Sequence, residues 1–304
     1  MTARPAEPAN AHGLPAGIGA YVIWGFMPLL FHALRGVHPL ELIAWRVVFT
    51  LPVCLVGLAL ARGWGDLAAA LRNRRVVLQL MLSALLLSSN WLLYVTAVVT
   101  GHVLATSLGY YINPLINVLI GTVFLGERLG WRQWAAVGVA GIGIALLVAG
   151  AIDMLGTALA MATTFALYGL MRKLIPVPAI TGMTIETLVL YPLGVAYAAW
   201  MVMSPGGSAM GHGAGTTLLI MSTGLVTAIP LILFAVAARN LTLSTLGFLQ
   251  FAAPTLVFLV GVFLLGEGLD RLKLACFVLI WIAVALFIWD MWQRTRYLNR
   301  PAAS

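Results

Sequence analysis

Charged residues are scarce in this sequence. They make up 9% of its 304 residues, whereas soluble globular proteins average about 25%. Hydrophobic residues account for 62%, and the mean hydropathy is +1.02. So few charges exclude an ordinary soluble globular protein, and the composition indicates a membrane protein with several spans.

Cysteine is rare, and the usual catalytic motifs are missing. Cys54 and Cys276 each lie inside an apolar stretch, which favours small core residues over a disulfide or a metal pair. The sequence has no metal-ligand spacing, no nucleophile with a base, and no phosphate-binding glycine loop. The net charge of +8 is scattered over segment ends without a basic stripe. We therefore expect no metal, no cofactor, no nucleic acid partner and no enzymatic activity.

What the sequence does contain is a series of apolar stretches of bilayer length, which takes about 20 residues. The first five are predicted at 14–34, 39–61, 76–99, 103–125 and 132–150. The second five are predicted at 154–171, 180–203, 216–238, 241–265 and 272–292. The sequence thus predicts an all-α membrane protein with ten transmembrane helices. Residues 1–13 are expected to be a disordered tail, and residues 293–304 a basic tail.

The basic residues indicate an orientation. If the N-terminus is cytoplasmic, most lysines and arginines fall on that side, including Arg172 and Lys173 in a connection between spans. Only Arg35, Arg271 and Lys273 fall on the far side. Because cytoplasmic connections carry an excess of lysine and arginine, we expect both termini in the cytoplasm. The expected location is a bacterial inner membrane.

The two halves of the chain repeat one plan. Pro254 lies 140 positions after Pro114, and Gly266–Glu267 lies 140 positions after Gly126–Glu127. These glycine–glutamate pairs are interpreted as turns. Each repeat contains an odd number of spans, so the second copy must be inverted relative to the first. We predict a first five-helix repeat at 14–150 and an inverted one at 151–292, an architecture typical of secondary transporters.

Two charges of opposite sign lie inside predicted spans, Arg46 and Glu186, again 140 positions apart. A charge at the centre of a span costs about 2.5–3.5 kcal/mol on insertion scales, so it needs a partner or water. We hypothesise that the two meet near the axis relating the halves, or that they line one cavity from its two walls. A purely structural ion pair and a gating role both remain open.

Polar side chains share faces with intramembrane prolines. Helical spacing places Tyr110, Asn113 and Asn117 on one face of the fourth span, and Trp24 marks a similar face of the first. Such groups need partners in hydrocarbon, so they face other helices or a wet cavity. A proline also frees a carbonyl one turn back, which favours a hinge or a ligand contact. The expected hinges are Pro28, Pro114 and Pro254.

This plan resembles the EamA family of the drug/metabolite transporter superfamily. Within it, three stretches closely resemble the bacterial RarD group, whose members are labelled chloramphenicol-sensitive proteins or permeases: AWRVVFTLP, SSNWLLYVTAVVTGHVLATSLGYYINPLINVLIGTVFLGERL and MTIETLVLYP. The resemblance implies an inner-membrane transporter with a cavity between its halves. It also implies a set of residues that line or control the pathway: Trp24, Arg46, Asn90, Tyr94, Tyr110, Asn113, Asn117, Tyr168, Glu186 and Gln250.

We therefore expect a secondary transporter that exports a small organic solute, a drug or an amino-acid-like metabolite, by alternating access. Import remains the alternative, because nothing in the sequence fixes direction. A membrane-embedded enzyme is a weaker alternative, since it would need paired carboxylates, histidine clusters or a nucleophile at one depth. The expected partners are a small-molecule substrate and the lipid bilayer, and a homodimer is left open.

Overall fold

The computed structural model describes residues 12–100, 102–149, 152–264 and 271–298. Within these ranges the chain is helical and contains no strand. Ten helical segments, one of them interrupted within its length, are long and apolar enough to cross a membrane, which confirms the predicted number of spans. Most of the predicted N-terminal tail lies outside the described residues, and Gly13 already begins the first helix.

The first half contains α1 Gly13–Ala33, α2 Pro39–Leu60, α3 Trp64–Arg72, α4 Arg74–Val99, α5 Val103–Phe124 and α6 Trp131–Ala149. A 3₁₀ turn at Ile152–Met154 leads into the second half. Its helices are α7 Leu155–Leu174, α8 Ala179–Met203, α9 Ala214–Asn240, α10 Leu243–Gln250, α11 Ala252–Phe263 and α12 Arg271–Leu298. Because α12 continues to Leu298, part of the predicted C-terminal tail is helical.

Local sequence explains where several helices begin and end. The side-chain oxygen of Asn73 accepts hydrogen bonds from the backbone N–H groups of Arg75 and Val76, which caps the start of α4. Pro39 occupies the first position of α2, where its missing N–H costs nothing. Gly126 follows α5 with φ +66°, the left-handed conformation that ends many helices. Its predicted counterpart at 266 lies outside the described residues.

The structure differs from the prediction in two connections and one span. The basic stretch after α2 contains α3, which buries Leu67 and Ala70 against the bundle. The predicted ninth span is broken at Phe251 into α10 and α11. Pro254 weakens the helix at this point, because it cannot donate to the carbonyl of Gln250 one turn earlier. The connection after α8, which the predicted spans leave as a loop, packs against the bundle, and Ser208 within it is only 4% exposed.

Helices of the two halves pack against each other throughout the bundle. The principal contacts join α5 to α7, α1 to α9 and α11, α2 to α8 and α9, and α4 to α7, while α6 packs mainly on α12. One pair is contacted unevenly: α5 packs against α10 but barely touches α11. The fourth and ninth spans therefore meet at one end and diverge at the other.

The outer faces of the bundle are strongly apolar. Leu193 is 71% exposed and Phe263 is 77% exposed, and many other large apolar side chains project outward. Apolar exposure on this scale marks a surface that contacts lipid. Together with the ten long apolar helices, it describes a multi-pass membrane protein.

Candidate functional site

Glu186 lies at the centre of a buried polar group. Its Oε1 is 3.3 Å from Nη1 of Arg172, and both side chains are 1% exposed. The Ser83 hydroxyl donates to the same oxygen at 2.6 Å, and the Tyr168 hydroxyl donates to Oε2 at 3.5 Å. The ion pair joins α7 to α8, and Ser83 ties it to α4. The carboxylate is thus compensated within the protein.

Of the two alternatives for Arg46 and Glu186, direct pairing is therefore wrong. The position of Arg172 in a connection between spans is also wrong, because Arg172 lies in the last turn of α7. Arg172 lies four residues after Tyr168, so it shares the inward face of α7. Its guanidinium passes directly over Gly182 of α8, where a Cβ atom would clash with Nη1. Gly182 has no side chain, so the guanidinium of Arg172 fits against α8. A hydropathy profile of the sequence does not reveal this contact between helices.

A small cavity of about 10 Å³ lies beside Glu186, roughly the space that one water molecule requires. Its lining residues are Val47, Thr50, Leu87, Trp91, Met183, Glu186, Thr187 and Leu190. The hydroxyl of Thr50 is buried and has no hydrogen-bond partner in the described protein. The cavity can accommodate water but not an organic solute, so solute binding beside Glu186 requires helices to move apart.

A second group surrounds Arg46, and we call its five members the Arg46 cluster: Arg46, Trp91, Tyr94, Tyr110 and Thr227. The guanidinium carbon lies 4.7 Å from the centroid of the Trp91 ring, and Nε donates to the Thr227 hydroxyl at 3.0 Å. The rings of Tyr94 and Tyr110 are 6.5 Å apart, and both residues lie near Arg46. Tyr110 is 47% exposed, so the cluster is open at its surface.

Four predicted amides form contacts between helices. Asn113 donates to the carbonyl of Ala162 at 2.6 Å, and Asn117 donates to the side chains of Asn113 and Gln250 at 3.0 Å each. Asn90 donates to the carbonyl of Met161 at 2.7 Å. All four are buried, and together they tie α5 to α7 and α10, and α4 to α7. The donors of Asn90, Asn113 and Asn117 are therefore occupied by protein, although the Asn117 oxygen has no partner in the described structure.

The two remaining candidates belong to an aromatic cluster between α1, α7 and α9. Tyr168 stacks on Phe234, with centroids 5.8 Å apart and planes at 13°. Trp24 lies 5.8 Å from both Phe165 and Phe234. Sequence reasoning missed the two phenylalanines, because an apolar residue in an apolar span carries no distinguishing signal. Trp24 is partly exposed, whereas Tyr168 is fully buried.

Glu127 closes one end of the bundle, although the sequence indicated only a turn there. Its Oε1 accepts the backbone N–H of Leu243 at 2.6 Å, and its Oε2 accepts the N–H and the hydroxyl of Ser244 at 2.9 and 2.6 Å. A carboxylate at the start of a helix satisfies free N–H groups and complements the helix dipole. Lys173 reinforces the same end by donating to the carbonyls of Ala238 and Leu241.

Glu41 performs a similar role near the start of α2. It is 2% exposed and accepts hydrogen bonds from the Ser208 hydroxyl at 2.5 Å and the Ala209 N–H at 2.8 Å. The indole of Trp45 donates to the same carboxylate at 3.2 Å. This contact joins the first half to the connection between α8 and α9. Within the described ranges, no three His, Cys, Asp or Glu side chains come together as a metal site.

Comparison with known proteins places these features in a family. Residues 12–149 match the model of the EamA-like transporter family. A Salmonella typhimurium protein named RarD is 42% identical over 281 residues, covering 91% of this chain and 95% of that protein. An uncharacterized transporter of Vibrio cholerae is 40% identical over 292 residues, covering 95% and 96%. A chloramphenicol-sensitive protein RarD of Pseudomonas aeruginosa is 30% identical over 285 residues, covering 92% and 95%.

The fold has a counterpart among solved structures. One crystal structure matches with a TM-score of 0.72, covering 90% of this chain and 96% of that one at 20% identity. Identity that low supports the fold alone, whereas the relatives above extend over nearly the whole chain at up to 42% identity. On this evidence, the chain belongs to the EamA-like transporter family, among the relatives named RarD.

Proposed function

We propose that the protein is a secondary transporter that moves a small organic solute across a bacterial inner membrane by alternating access. One observation carries this proposal: α5 is bound to α10 at one end and diverges from α11 at the other. The divergent side contains the open Arg46 cluster. A carrier needs this arrangement, in which one side is sealed while the other admits solute.

The packing supports two inverted repeats. The pairs of helices that pack against each other stay the same when equivalent helices are exchanged: α1 with α7, α2 with α8, α4 with α9, and α5 with the α10–α11 pair. The contact of α1 with α9 becomes that of α7 with α4, and the contact of α5 with α7 becomes that of α11 with α1. Repeats of this kind allow the open and sealed sides to exchange by rocking of the halves.

At the sealed end, Glu127 binds the start of α10 and Lys173 donates to a carbonyl at the end of α9. Arg239 of α9 donates to the carbonyl of Val177 in the connection between α7 and α8. The excess of basic residues supports a cytoplasmic position for this end and for both termini. On that orientation the Arg46 cluster opens to the far side, a state in which an exporter releases its solute and an importer binds it. We propose export, with import as the alternative.

The class of solute is proposed from the site and from one relative. The cluster combines a cation with aromatic rings, which suits an amphipathic organic molecule. The Pseudomonas relative is named chloramphenicol-sensitive, which is consistent with a small organic solute. A membrane-embedded enzyme is disfavoured, because Glu186 is occupied by Arg172 and has no second carboxylate beside it within the described cluster.

A two-stage experiment tests this function. Metabolites in the medium of cells that overproduce the protein are compared with those of cells that lack it, and enriched compounds are then assayed in proteoliposomes. We expect saturable flux that is accelerated by unlabelled solute on the opposite side, because a carrier returns faster when loaded. Flux that does not saturate, or that ignores solute on the opposite side, would contradict alternating access.

A further inference from the structure

Arg46 is a charged residue within a membrane helix that has no anionic partner in the described protein. The carboxylate that sequence symmetry offered, Glu186, is bound to Arg172. The groups that interact with Arg46 are the Thr227 hydroxyl, the Trp91 ring and the phenols of its cluster, and none of them is an acid. The cluster therefore carries an uncompensated positive charge.

Such a charge is costly without a compensating function. An arginine at the centre of a span is unfavourable in lipid, so such residues normally pair or line a polar cavity. A cation over an aromatic face and one neutral hydrogen bond each recover only part of that cost. The contacts of Arg46 offset part of the cost and leave its charge free to attract an anion.

The guanidinium is also presented in a suitable way. Arginine has five N–H donors, and Arg46 uses Nε for Thr227, while neither Nη atom donates to the described protein. The guanidinium carbon lies over the Trp91 ring, and this contact together with the Thr227 bond restricts the positions that the group can take. Two parallel N–H donors match the two oxygens of a carboxylate, and this is the geometry at which arginine surpasses lysine.

The surroundings specify the rest of the ligand. Tyr94 and Tyr110 form an aromatic wall beside the guanidinium, and Tyr110 is 47% exposed. A purely structural role for Arg46 would be to join α2 to α9 through Thr227. A neutral side chain with one N–H donor could make that contact. The structural role therefore explains neither the positive charge of Arg46 nor its two Nη groups, which donate to nothing in the described protein.

We propose that Arg46 binds the carboxylate of the transported solute, so that the substrates are small organic carboxylates with an apolar or aromatic body. This inference rests on the proposed transport function and adds the chemical class of its substrate. The Thr227 contact would then connect the bound solute to α9 in the second half, because the same guanidinium binds both the carboxylate and Thr227.

The test uses the full-length protein in nanodiscs of phosphatidylethanolamine and phosphatidylglycerol at pH 7. The probes are the carboxylates phenylacetate, benzoate and hexanoate, each matched with its neutral amide, and binding is measured by calorimetry. In the unaltered protein we expect at least one carboxylate to bind at least tenfold more tightly than its amide. Arg46→Gln should remove that preference, and Arg46→Lys should retain part of it.

Arg35→Gln serves as the matched control, because Arg35 is exposed on the connection after α1 and lies outside the cluster. It should leave the preference intact. The comparison of acids with amides in the unaltered protein does not depend on any variant folding. Equal binding of every acid and its amide, or an unchanged preference in a folded Arg46→Gln protein, would overturn the inference.

Transport assays distinguish a failure of this inference from a failure of the proposed transport function. If proteoliposomes move a neutral or cationic solute saturably and Arg46→Gln does not alter that flux, the carboxylate class is wrong and the transporter stands. If no solute enriched by the cells moves saturably, the transport function itself fails. Carboxylate flux that Arg46→Gln lowers at least tenfold would support both.

Discussion

Nη1 of Arg172 lies 3.3 Å from Oε1 of Glu186, at a position where each side chain is 1% exposed. Removing one partner of a buried ion pair leaves an uncompensated charge, which costs about 3–5 kcal/mol. We expect Arg172→Met and Glu186→Gln each to lower the free energy of unfolding by about that amount.

The double variant Arg172→Met, Glu186→Gln should lose much less than the sum of the two single changes, because no bare charge remains. Unfolding of the purified protein in mixed micelles, followed across all four proteins, measures this coupling. Additive losses would show that the two side chains do not depend on each other.

Gly182 should tolerate no side chain, because an added Cβ would clash with the Arg172 guanidinium. Overpacking of this kind costs about 1–3 kcal/mol, so Gly182→Ala should lower thermal stability measurably. Gly138→Ala is the matched control, since nothing lies within 4 Å of a Cβ at that position of α6. If both alanines behave alike in thermal unfolding, the tight contact at Gly182 is absent.

Glu127 should protect the first amides of α10 from exchange with solvent. The N–H groups of Leu243 and Ser244 have no acceptor within their own helix, and both donate to this carboxylate. A hydrogen bond to a charged group contributes about 1.5–3 kcal/mol, so Glu127→Ala should speed exchange there about tenfold or more. Hydrogen exchange with mass spectrometry measures this.

The control for that experiment is Asp66→Ala, which removes an exposed acid from α3. It should leave exchange in α10 unchanged. Unaltered protection of α10 in the Glu127 variant would remove this carboxylate from the proposed seal.

Both termini should lie in the cytoplasm. Alkaline phosphatase, which is active only outside the cytoplasm, should be inactive when fused after Leu298 and active when inserted in the connection between α8 and α9, at His212. A fusion after Arg62, in the connection between α2 and α3, should also be inactive. Activity at the C-terminus would contradict the orientation drawn from the basic residues.

The ten spans follow from the sequence because lipid requires every membrane-crossing segment to be long, apolar and helical. Partners between segments do not follow in the same way. Arg172 looks like a cytoplasmic residue because it lies two positions before the end of α7, and only its helical spacing from Tyr168 points inward. Glu127 binds a residue 117 positions away, Ser244, and no local pattern encodes that distance.

In the candidate site, too, the sequence identifies residues that need a partner but does not identify the partner. Intramembrane polarity identified Arg46, Asn117 and Glu186 as residues in need of partners, and each does make polar contacts. Symmetry between the halves suggested Arg46 as the partner of Glu186, whereas the partner is Arg172. Equivalent positions of a duplicated chain can diverge, and an arginine on a neighbouring helix can then supply the positive charge. Phe234 was missed since packing, and not polarity, makes it central to the aromatic cluster.

The break at Phe251 gives the second half a pivot that the first half lacks, since α5 continues through Pro114 without interruption. Below the pivot, α10 is anchored by Glu127 and by the bond from Asn117 to Gln250. Beyond it, α11 extends for 12 residues, about 18 Å, and packs on α1 while barely touching α5. Movement of α1 and α11 together about this pivot would change their distance from α5 while α10 stays anchored.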